Sequence, residues 1–306
     1  MQNVFKLAAV AALCASAAAA HAQLALDANL ELDTTYTSKV NAPATNVRPS
    51  DLSLGGRVEF NVGAKATSGD AFVAARASLL LKKDGDTGVD DMWVQAGNAT
   101  ADVKLGRFEA MDLFPVGKDT VLEYTEDYTP YQANTLRGRK GSDVFHGALG
   151  LNAAPGLRVE LGLVFSKEPD QAKGFRPAVM YSAGPLTLRA GLESVKVVGS
   201  TAGSETGLGL SAGYQLDKDT NINVNFAKKE DDKSFGVNAT IGAAGVGMVY
   251  GKGATAADKA TTVYAAYTLP LMGVKGASIT PAISFAKGGT GSKGQTAARV
   301  RINYAF

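Results

Sequence analysis

Cysteine is almost absent from this 306-residue chain, and histidine is scarce. The one cysteine, Cys14, lies among the first 22 residues, and only one of the two histidines, His146, lies beyond them. A zinc site draws its ligands from several Cys or His side chains, so none is expected here. A cysteine-free remainder is also consistent with an oxidising compartment. The chain has no Walker-type phosphate loop and no G-x-G-x-x-G between a strand and a helix. We therefore predict no metal and no cofactor.

Charge of one sign and long apolar runs are lacking as well. The formal net charge is +2, which gives no indication of nucleic-acid binding. No segment approaches the roughly 20 consecutive apolar residues that an α-helical membrane span needs. The mean hydropathy of −0.01 is what we expect if apolar residues form only one face of each strand.

Enzymatic chemistry has little support in the sequence. His146 has Ser142 and Asp143 close by, but three residues at a single strand entrance have little freedom to adopt the geometry of a catalytic triad. A hydrolase is therefore a weak alternative, and we predict that the chain is not an enzyme.

The first 22 residues have the pattern of a secretory signal peptide. Lys6 is followed by an apolar run at 7–13 and then by small residues that end in Ala-His-Ala at 20–22. This order predicts cleavage before Gln23. A lipoprotein site at Cys14 fits poorly, because a bulky leucine precedes it. We expect a signal peptide over 1–22 and one domain over 23–306.

The remainder alternates between apolar and polar residues in about sixteen segments. In 52–66, for example, Val58 and Phe60 alternate with Arg57 and Glu59. The predicted strands are 24–36, 52–66, 71–83, 91–97, 101–107, 144–152, 157–166, 175–183, 186–195, 208–216, 221–227, 234–241, 246–250, 261–269, 277–286 and the terminal strand. Short turns alternate with longer connections, as in transmembrane barrels. A soluble β-sandwich would not readily explain so many segments in phase. We predict an all-β, transmembrane antiparallel barrel, and about sixteen strands leave an aqueous channel.

The C-terminus carries the first family resemblance. Val300, Ile302, Tyr304 and Phe306 share one face of the last segment, and its arginines share the other. This ending resembles the terminal strand of Gram-negative outer-membrane barrels. The resemblance implies that Tyr304 and Phe306 form a signal for the barrel assembly machinery. It also implies a location in the outer membrane, among its lipids and lipopolysaccharide.

A second resemblance lies around the longest connection, 108–143. It follows a fifth strand that ends in Leu105-Gly106-Arg107, and it resembles the third outer loop of general-diffusion porins. That resemblance implies a loop folded into the lumen, a homotrimer, and passive diffusion of ions and small hydrophilic solutes. At 114–119 the sequence reads FPVGKD, which differs from the family's Pro-Glu-Phe-Gly-Gly-Asp stretch: it has a lysine and lacks the glutamate.

Candidate pore residues follow from the predicted strand phase. A charged side chain facing lipid costs about 2–4 kcal/mol at the bilayer midplane, so inward positions are expected for the strand cations. The candidates on the wall are Arg57, Arg76, Lys82, Lys104, Arg107, Arg158, Arg189, Arg299 and Arg301. Those on the loop are Glu109, Asp112, Lys118, Asp119, Glu123, Tyr124, Glu126, Asp127, Tyr128 and Tyr131. Wall cations opposite loop acids would create a transverse field; alternatively, the arginines solvate the lumen or pair with Glu59, Glu160 and Glu193.

Selectivity is the finest of these predictions. Because wall cations outnumber the acids of any one stretch of the loop, and Lys118 adds a positive charge, we expect a weak anion preference. Tyr124, Tyr128 and Tyr131 lie among carboxylates, an environment that suits a sugar ring. A sugar-selective porin on the same barrel is therefore the alternative, unless these tyrosines only pack the loop against the wall.

Overall fold

Antiparallel strands form one closed sheet in the computed structural model, and their bounds explain the segment count. The structure describes residues 23–40, 50–118, 121–125, 128–139, 144–290 and 294–306. The strands are β1 (Gln23–Val40), β2 (Asp51–Ser68), β3 (Ala71–Lys82), β4 (Thr87–Gly97), β5 (Ala101–Arg107), β6 (Val144–Ala154), β7 (Leu157–Ser166), β8 (Ala172–Ala183), β9 (Leu186–Val197), β10 (Glu205–Asp217), β11 (Thr220–Lys229), β12 (Asp232–Ile241), β13 (Ala244–Lys252), β14 (Lys259–Tyr267), β15 (Leu269–Pro270), β16 (Ala277–Gly288) and β17 (Gly294–Ala305). Since β15 continues β14 after Thr268 and both pair with β16, the barrel has sixteen strands.

The barrel closes where the first strand meets the last. β1 pairs with β2 on one side and β17 on the other, so Leu30 lies opposite both Val58 and Tyr304. Ala28 and Phe306 exchange two backbone hydrogen bonds of 2.9 Å beyond the end of β17. Every strand therefore has two neighbours, which confirms the predicted all-β antiparallel barrel.

The predicted strand phase sends apolar side chains outward. In β11, Ile222, Val224 and Phe226 are exposed on the outer face, while Asn223 and Asn225 are buried inside. Outer aromatic residues gather toward the two strand ends, as amphipathic rings at a membrane interface do. Among the residues expected in the girdles, those toward the short turns are Tyr181, Tyr214, Tyr267 and Tyr304, and those toward the longer loops are Phe165, Phe226, Tyr250 and Phe285, whereas Phe60 lies near the middle of β2. This is the arrangement expected of two interfacial girdles.

The two ends of the barrel differ in their connections. We call the end that carries 69–70, 155–156 and 242–243 the short-turn rim, and the other end the long-loop rim.

The predicted connection 228–233 is shorter in the structure and consists of Glu230 and Asp231, because polar residues on both sides extend the ladder between β11 and β12. Apolar alternation alone does not mark such polar strand ends. No helix in the described ranges is long and apolar enough to cross a membrane.

Deletion of Phe306 should lower the fraction of protein that reaches the outer membrane as a folded barrel. The deletion removes the paired backbone hydrogen bonds to Ala28 and the ring stacked on Tyr304 at 5.2 Å. The measurement is the heat-modifiable, protease-resistant fraction in isolated outer membranes. A Phe306→Tyr control retains the ring and the backbone and should assemble normally. An undiminished fraction after deletion would contradict the role of this residue.

Candidate functional site: the lumen and its inward loop

The third long connection, 108–143, folds into the barrel as predicted. Its described residues pack along the inner wall formed by β6 to β14, where Leu113 and Phe114 are fully buried. The wall is built to receive them. A Cβ atom at Gly209 would lie 2.8 Å from the Cβ of Leu113, and one at Gly236 would lie 2.8 Å from the Phe114 ring. Glycine at these two positions is therefore what lets the loop approach the wall so closely.

Hydrogen bonds fix the deepest part of the loop. The Pro115 carbonyl accepts from the side-chain amides of Asn225 (2.7 Å) and Asn238 (2.8 Å) on adjacent strands. Next to it, the Val116 carbonyl accepts from the hydroxyl of Tyr264 at 2.6 Å. Loop carbonyls that are removed from water need hydrogen-bond donors, and these inward polar side chains supply them.

Lys118 brings a positive charge to the short-turn rim. Its Nζ donates to the carbonyls of Gly242 at 3.1 Å and Ala243 at 2.6 Å, in the turn between β12 and β13. Partial burial lowers the pKa of Lys118 below its ordinary value. The loop therefore extends from one rim of the barrel to the other, and it carries this cation to the far rim.

The returning half of the loop is anchored to a buried ion pair. Arg176 of β8 and Glu193 of β9 are only 1% and 0% exposed, with Nε and Oε2 3.8 Å apart. Glu193 accepts from the Tyr131 hydroxyl at 2.6 Å and from the Leu136 N–H at 3.0 Å. Arg176 donates to the Ala133 carbonyl at 3.2 Å. We call Arg176, Glu193 and Tyr131 the loop anchor.

Acids near the start of the loop pair with the loop's own arginine. Arg137 lies 3.0 Å from Glu109 and 3.8 Å from Asp112. Arg139 pairs with Asp90 at 3.0 Å and Asp91 at 3.1 Å on β4. These contacts hold the base of the loop and neutralise two of the acids that were candidates for the constriction.

Acids on β1 hold much of the predicted wall charge. Asp33 lies directly opposite Arg301 and pairs with it at 2.8 Å. Glu31 lies opposite Arg57 at 3.1 Å and also within 3.5 Å of Arg301. Arg299 approaches Asp33 at 3.8 Å. We call these five residues the charged seam, since they join β17, β1 and β2 on the inner face.

Four other wall cations are distributed along the lumen. Arg76 pairs with Asp91 at 3.7 Å, and Arg158 with Asp102 at 2.8 Å. Arg189 is half-buried on the inner face of β9, and Lys82 is exposed at the end of β3. These side chains surround the lumen singly or in pairs and do not gather opposite one stretch of the loop.

The remaining two wall cations contact the protein's own backbone and rings. Lys104 Nζ lies 3.9 Å from the centroid of Trp93 and 4.8 Å from that of Phe108. Arg107 Nε donates to the carbonyls of Val89 and Asp90, both at 2.9 Å, where β4 shifts register. Both cations therefore stabilise the strands around the start of the loop.

The candidate tyrosines all have engaged hydroxyls. Tyr131 belongs to the loop anchor, Tyr128 donates to Asp232 at 3.2 Å, and Tyr124 accepts from Gln132 at 2.8 Å. Burial raises the pKa of each of the three, so their hydroxyls stay protonated at neutral pH. Glu123 is half-buried, and Thr262 donates to its backbone carbonyl at 3.0 Å. Asp119, Glu126 and Asp127 lie outside the described residues.

His146 does not present a reactive site. It is buried, with its ring stacked on Phe108 at a centroid distance of 3.9 Å. Its sequence neighbours Ser142 and Asp143 fall outside the described residues. Across the described ranges, no group of His, Cys, Asp and Glu side chains is arranged to hold a metal ion.

A cavity of about 190 Å³ lies between the loop and the charged seam, and we call it the passage. Lys118 and Val121 line it from the loop, and Glu31, Arg299 and Arg301 line it from the seam. The other lining residues are mostly small and polar; they are Thr268, Ser278, Thr280, Ala282 and Asn303. Water-exposed charge of both signs therefore lines this passage, with cations on both of its sides.

Comparisons with known proteins agree with this architecture. The model of the Gram-negative porin family matches residues 9–306. No curated protein matches the chain. Two engineered variants of the Rhodopseudomonas blastica porin share its fold, with TM-scores of 0.61 and 0.62 at 14% identity, over 93% of this chain and 100% of theirs. Identity this low shows the fold alone, whereas the family match spans nearly the whole sequence. The chain therefore belongs to the Gram-negative porins, the channel-forming barrels of the outer membrane.

Proposed function

We propose that this porin is a passive channel for ions and small hydrophilic solutes, with a weak preference for anions. The observation that carries this proposal is the passage between the loop and the seam, where Lys118 of the loop lies across from Glu31, Arg299 and Arg301 of the seam. Fixed charge at a narrow, low-dielectric passage influences ion selection more than charge elsewhere on the protein. Small polar residues around those charges suit solutes that remain hydrated.

The pairing of the wall charges supports a weak preference over a strong one. Arg301 and Arg57 contact Asp33 and Glu31, so much of the positive charge is compensated locally. Lys118 has only backbone carbonyls as its hydrogen-bond partners among the described residues, which leaves its charge uncompensated. The excess charge at the passage is therefore small and positive. The transverse electric field expected between wall cations and loop acids has less support, because loop acids such as Glu109 pair within the loop.

The sugar-selective alternative has less support from the geometry. A sugar-binding tract needs aromatic faces and free polar edges along the solute path. Here the hydroxyls of Tyr128 and Tyr131 bind Asp232 and Glu193, and both rings are partly buried where the loop meets the wall. These contacts favour the packing role.

Export, assembly and oligomeric state extend this proposal. Residues 1–22 serve as a signal peptide, and the barrel assembly machinery inserts the mature chain among outer-membrane lipids and lipopolysaccharide. The family resemblance further supports a homotrimer with one pore per subunit. The sequence and the fold give no reason to add a cofactor or a nucleic-acid partner.

Single-channel recording in planar bilayers tests the proposed function. In a salt gradient, the reversal potential should have the sign of a modest anion preference, which should shrink at high salt because the Debye length falls to about 3 Å at 1 M. Added linear oligosaccharides should leave the open current unblocked. A channel that prefers cations would contradict the proposed charge excess, and a concentration-dependent block would favour the sugar-selective alternative.

A further inference from the structure

Four lysines stand side by side on the outer face at the long-loop rim. Lys228 of β11 lies directly opposite Lys233 of β12, which lies opposite Lys252 of β13, which in turn lies opposite Lys259 of β14. All four are exposed, and each follows the outward phase of its strand. We call these four residues the lysine row. Their order depends on strand register and is invisible in the linear sequence.

The row is electrostatically unfavourable without an anion. Directly opposed residues of an antiparallel pair have Cβ atoms only about 4.5–5.5 Å apart, and like charges at such positions destabilise the sheet. Within the described residues, no ion pair includes any of the four lysines. Lys259 alone has a charge-compensating contact, with Nζ 5.7 Å from the centroid of the Tyr250 ring. The row therefore places four closely spaced positive charges where they need an external counter-charge.

Neighbouring acids do not supply that counter-charge. Asp232 accepts from Tyr128 of the inward loop, and Asp258 accepts from Thr255 within the connection between β13 and β14, so both carboxylates already have partners. Glu230 and Asp231 are exposed in the two-residue turn between β11 and β12 and form no ion pair with the row. These two acids lie next to the Lys228–Lys233 end of the row only, and they do not reach Lys252 or Lys259 along the chain.

The surface directly below the row is suited to a lipid. Two residues along each strand from the lysine row, away from the rim, lies an aromatic row. In it, Phe226 lies opposite Phe235, which lies opposite Tyr250. The next row toward the membrane is aliphatic and consists of Val224, Val237, Met248 and Val263. Cationic, aromatic and aliphatic rows thus follow one another in the order of headgroup, interface and hydrocarbon.

We propose that the lysine row binds the phosphate groups of a phosphorylated lipid headgroup in the outer leaflet, with the acyl chains lying on the aliphatic row below. The longer loops of outer-membrane barrels emerge on the outer side, which assigns the row to that leaflet. A second opposed pair, Lys173 and Lys196 on β8 and β9, extends the same rim. The inference rests on the membrane setting of the barrel and is independent of the selectivity of its pore.

The test compares binding of a fluorescent bisphosphorylated lipid A to the full-length porin in detergent micelles. The variant is the double substitution Lys233→Gln and Lys252→Gln, at the centre of the row. Each lysine near an anionic lipid surface contributes a factor of roughly five in affinity, so the double variant should bind about 25-fold more weakly. The matched control, Lys218→Gln with Lys275→Gln, removes the same charge from exposed turns of the short-turn rim and should bind like the wild type.

Further arms separate the lipid from other anions and from pore effects. Dephosphorylated lipid should bind weakly to every variant, and inorganic phosphate at the lipid's concentration should not displace the probe. The double variant should keep wild-type conductance and reversal potential, which shows that the barrel is intact. Equal binding by the double variant and the wild type, an equal loss in the control, or displacement by inorganic phosphate would each overturn the proposal.

Discussion

Replacing Glu193 with alanine should release the loop from the lumen wall and increase single-channel conductance. The carboxylate accepts hydrogen bonds from Tyr131 and Leu136 of the loop, and it faces the buried Arg176. Removing one partner of a buried ion pair costs about 3–5 kcal/mol, because the other charge is left uncompensated. Since the loop depends on that pair for its return path, the penalty should be relieved by detachment of the loop. Hydrated Arg176 would then face a wider passage.

Conductance and limited proteolysis would measure this release together. A detached loop becomes an accessible protease site, while the barrel remains heat-modifiable. The control is Glu205→Ala, which removes the partner of Lys229 from a half-exposed pair with a 2.7 Å separation. Exposed pairs contribute about 0–1 kcal/mol, so this variant should match the wild type. If Glu193→Ala retains both wild-type conductance and a protected loop, the loop anchor does not hold the loop.

Tyr131→Phe provides a graded version of the same experiment. It removes one hydroxyl donor but leaves the buried ion pair in place, so its effect should be smaller than that of Glu193→Ala. Burial, and next the Glu193 carboxylate, raise the pKa of Tyr131 well above its usual value. The hydroxyl therefore remains a donor up to alkaline pH, and this contact contributes its full stability below the ordinary tyrosine pKa of about 10.

The barrel itself could be predicted from the sequence because strand phase is a local property. Residues two apart share a face, so alternation such as Val58 and Phe60 against Arg57 and Glu59 identifies the lipid and lumen sides directly. The fifth and seventh strands match their predicted bounds, and the predicted 36-residue connection is the loop that folds inward. Errors are confined to the strand ends and to the pause at Thr268, two residues before Pro270, which supplies no N–H to the ladder.

The partners of the pore charges could not be predicted, because they depend on register. Alternation assigns Arg57 to the inner phase, but only the alignment of β1 with β2 places it opposite Glu31. The same holds for Asp33 and Arg301 across the closing seam, whose positions are 268 residues apart in the chain. Strands that pair over such distances carry no local signal of which acid meets which base.

The loop anchor escaped prediction for a related reason. The sequence does not single out Arg176, and it indicates Glu193 only as a general partner for wall arginines. An inward charge on each of two adjacent strands is a signal that could have been noticed. Its importance, however, comes from the path of the loop, since Ala133 and Leu136 supply the backbone groups that the pair binds. That path is fixed by packing against wall glycines, which no periodicity reveals.

Replacing Lys118 with glutamate should reverse the ion preference of the channel from weakly anionic to cationic. The substitution changes the charge of the loop side of the passage by two units, whereas the seam opposite is largely self-compensated. The reversal potential in a salt gradient reports the change, and the effect should be largest at low salt, where screening is weak. Lys118→Gln, whose amide can still donate to the turn carbonyls of Gly242 and Ala243, should give an intermediate shift.

The control for this reversal is the same charge change outside the passage. Lys83→Glu lies in an exposed turn at the long-loop rim and should leave the reversal potential close to that of the wild type. Equal shifts in both variants would indicate that the total charge of the lumen and its mouth sets selectivity. An unchanged potential in Lys118→Glu would exclude Lys118 as a determinant of selectivity.

The pH dependence of the wild-type channel gives an independent check on Lys118. Burial lowers the pKa of this lysine, so its positive charge is present below the lowered pKa and is lost as the pH rises through it. Arginine side chains remain charged throughout this range. The anion preference should therefore fade at an alkaline pH below the usual lysine value of about 10.4. Lys118→Gln should abolish this transition, because its amide does not titrate, and a transition that persists in the variant would assign it to another group in the lumen.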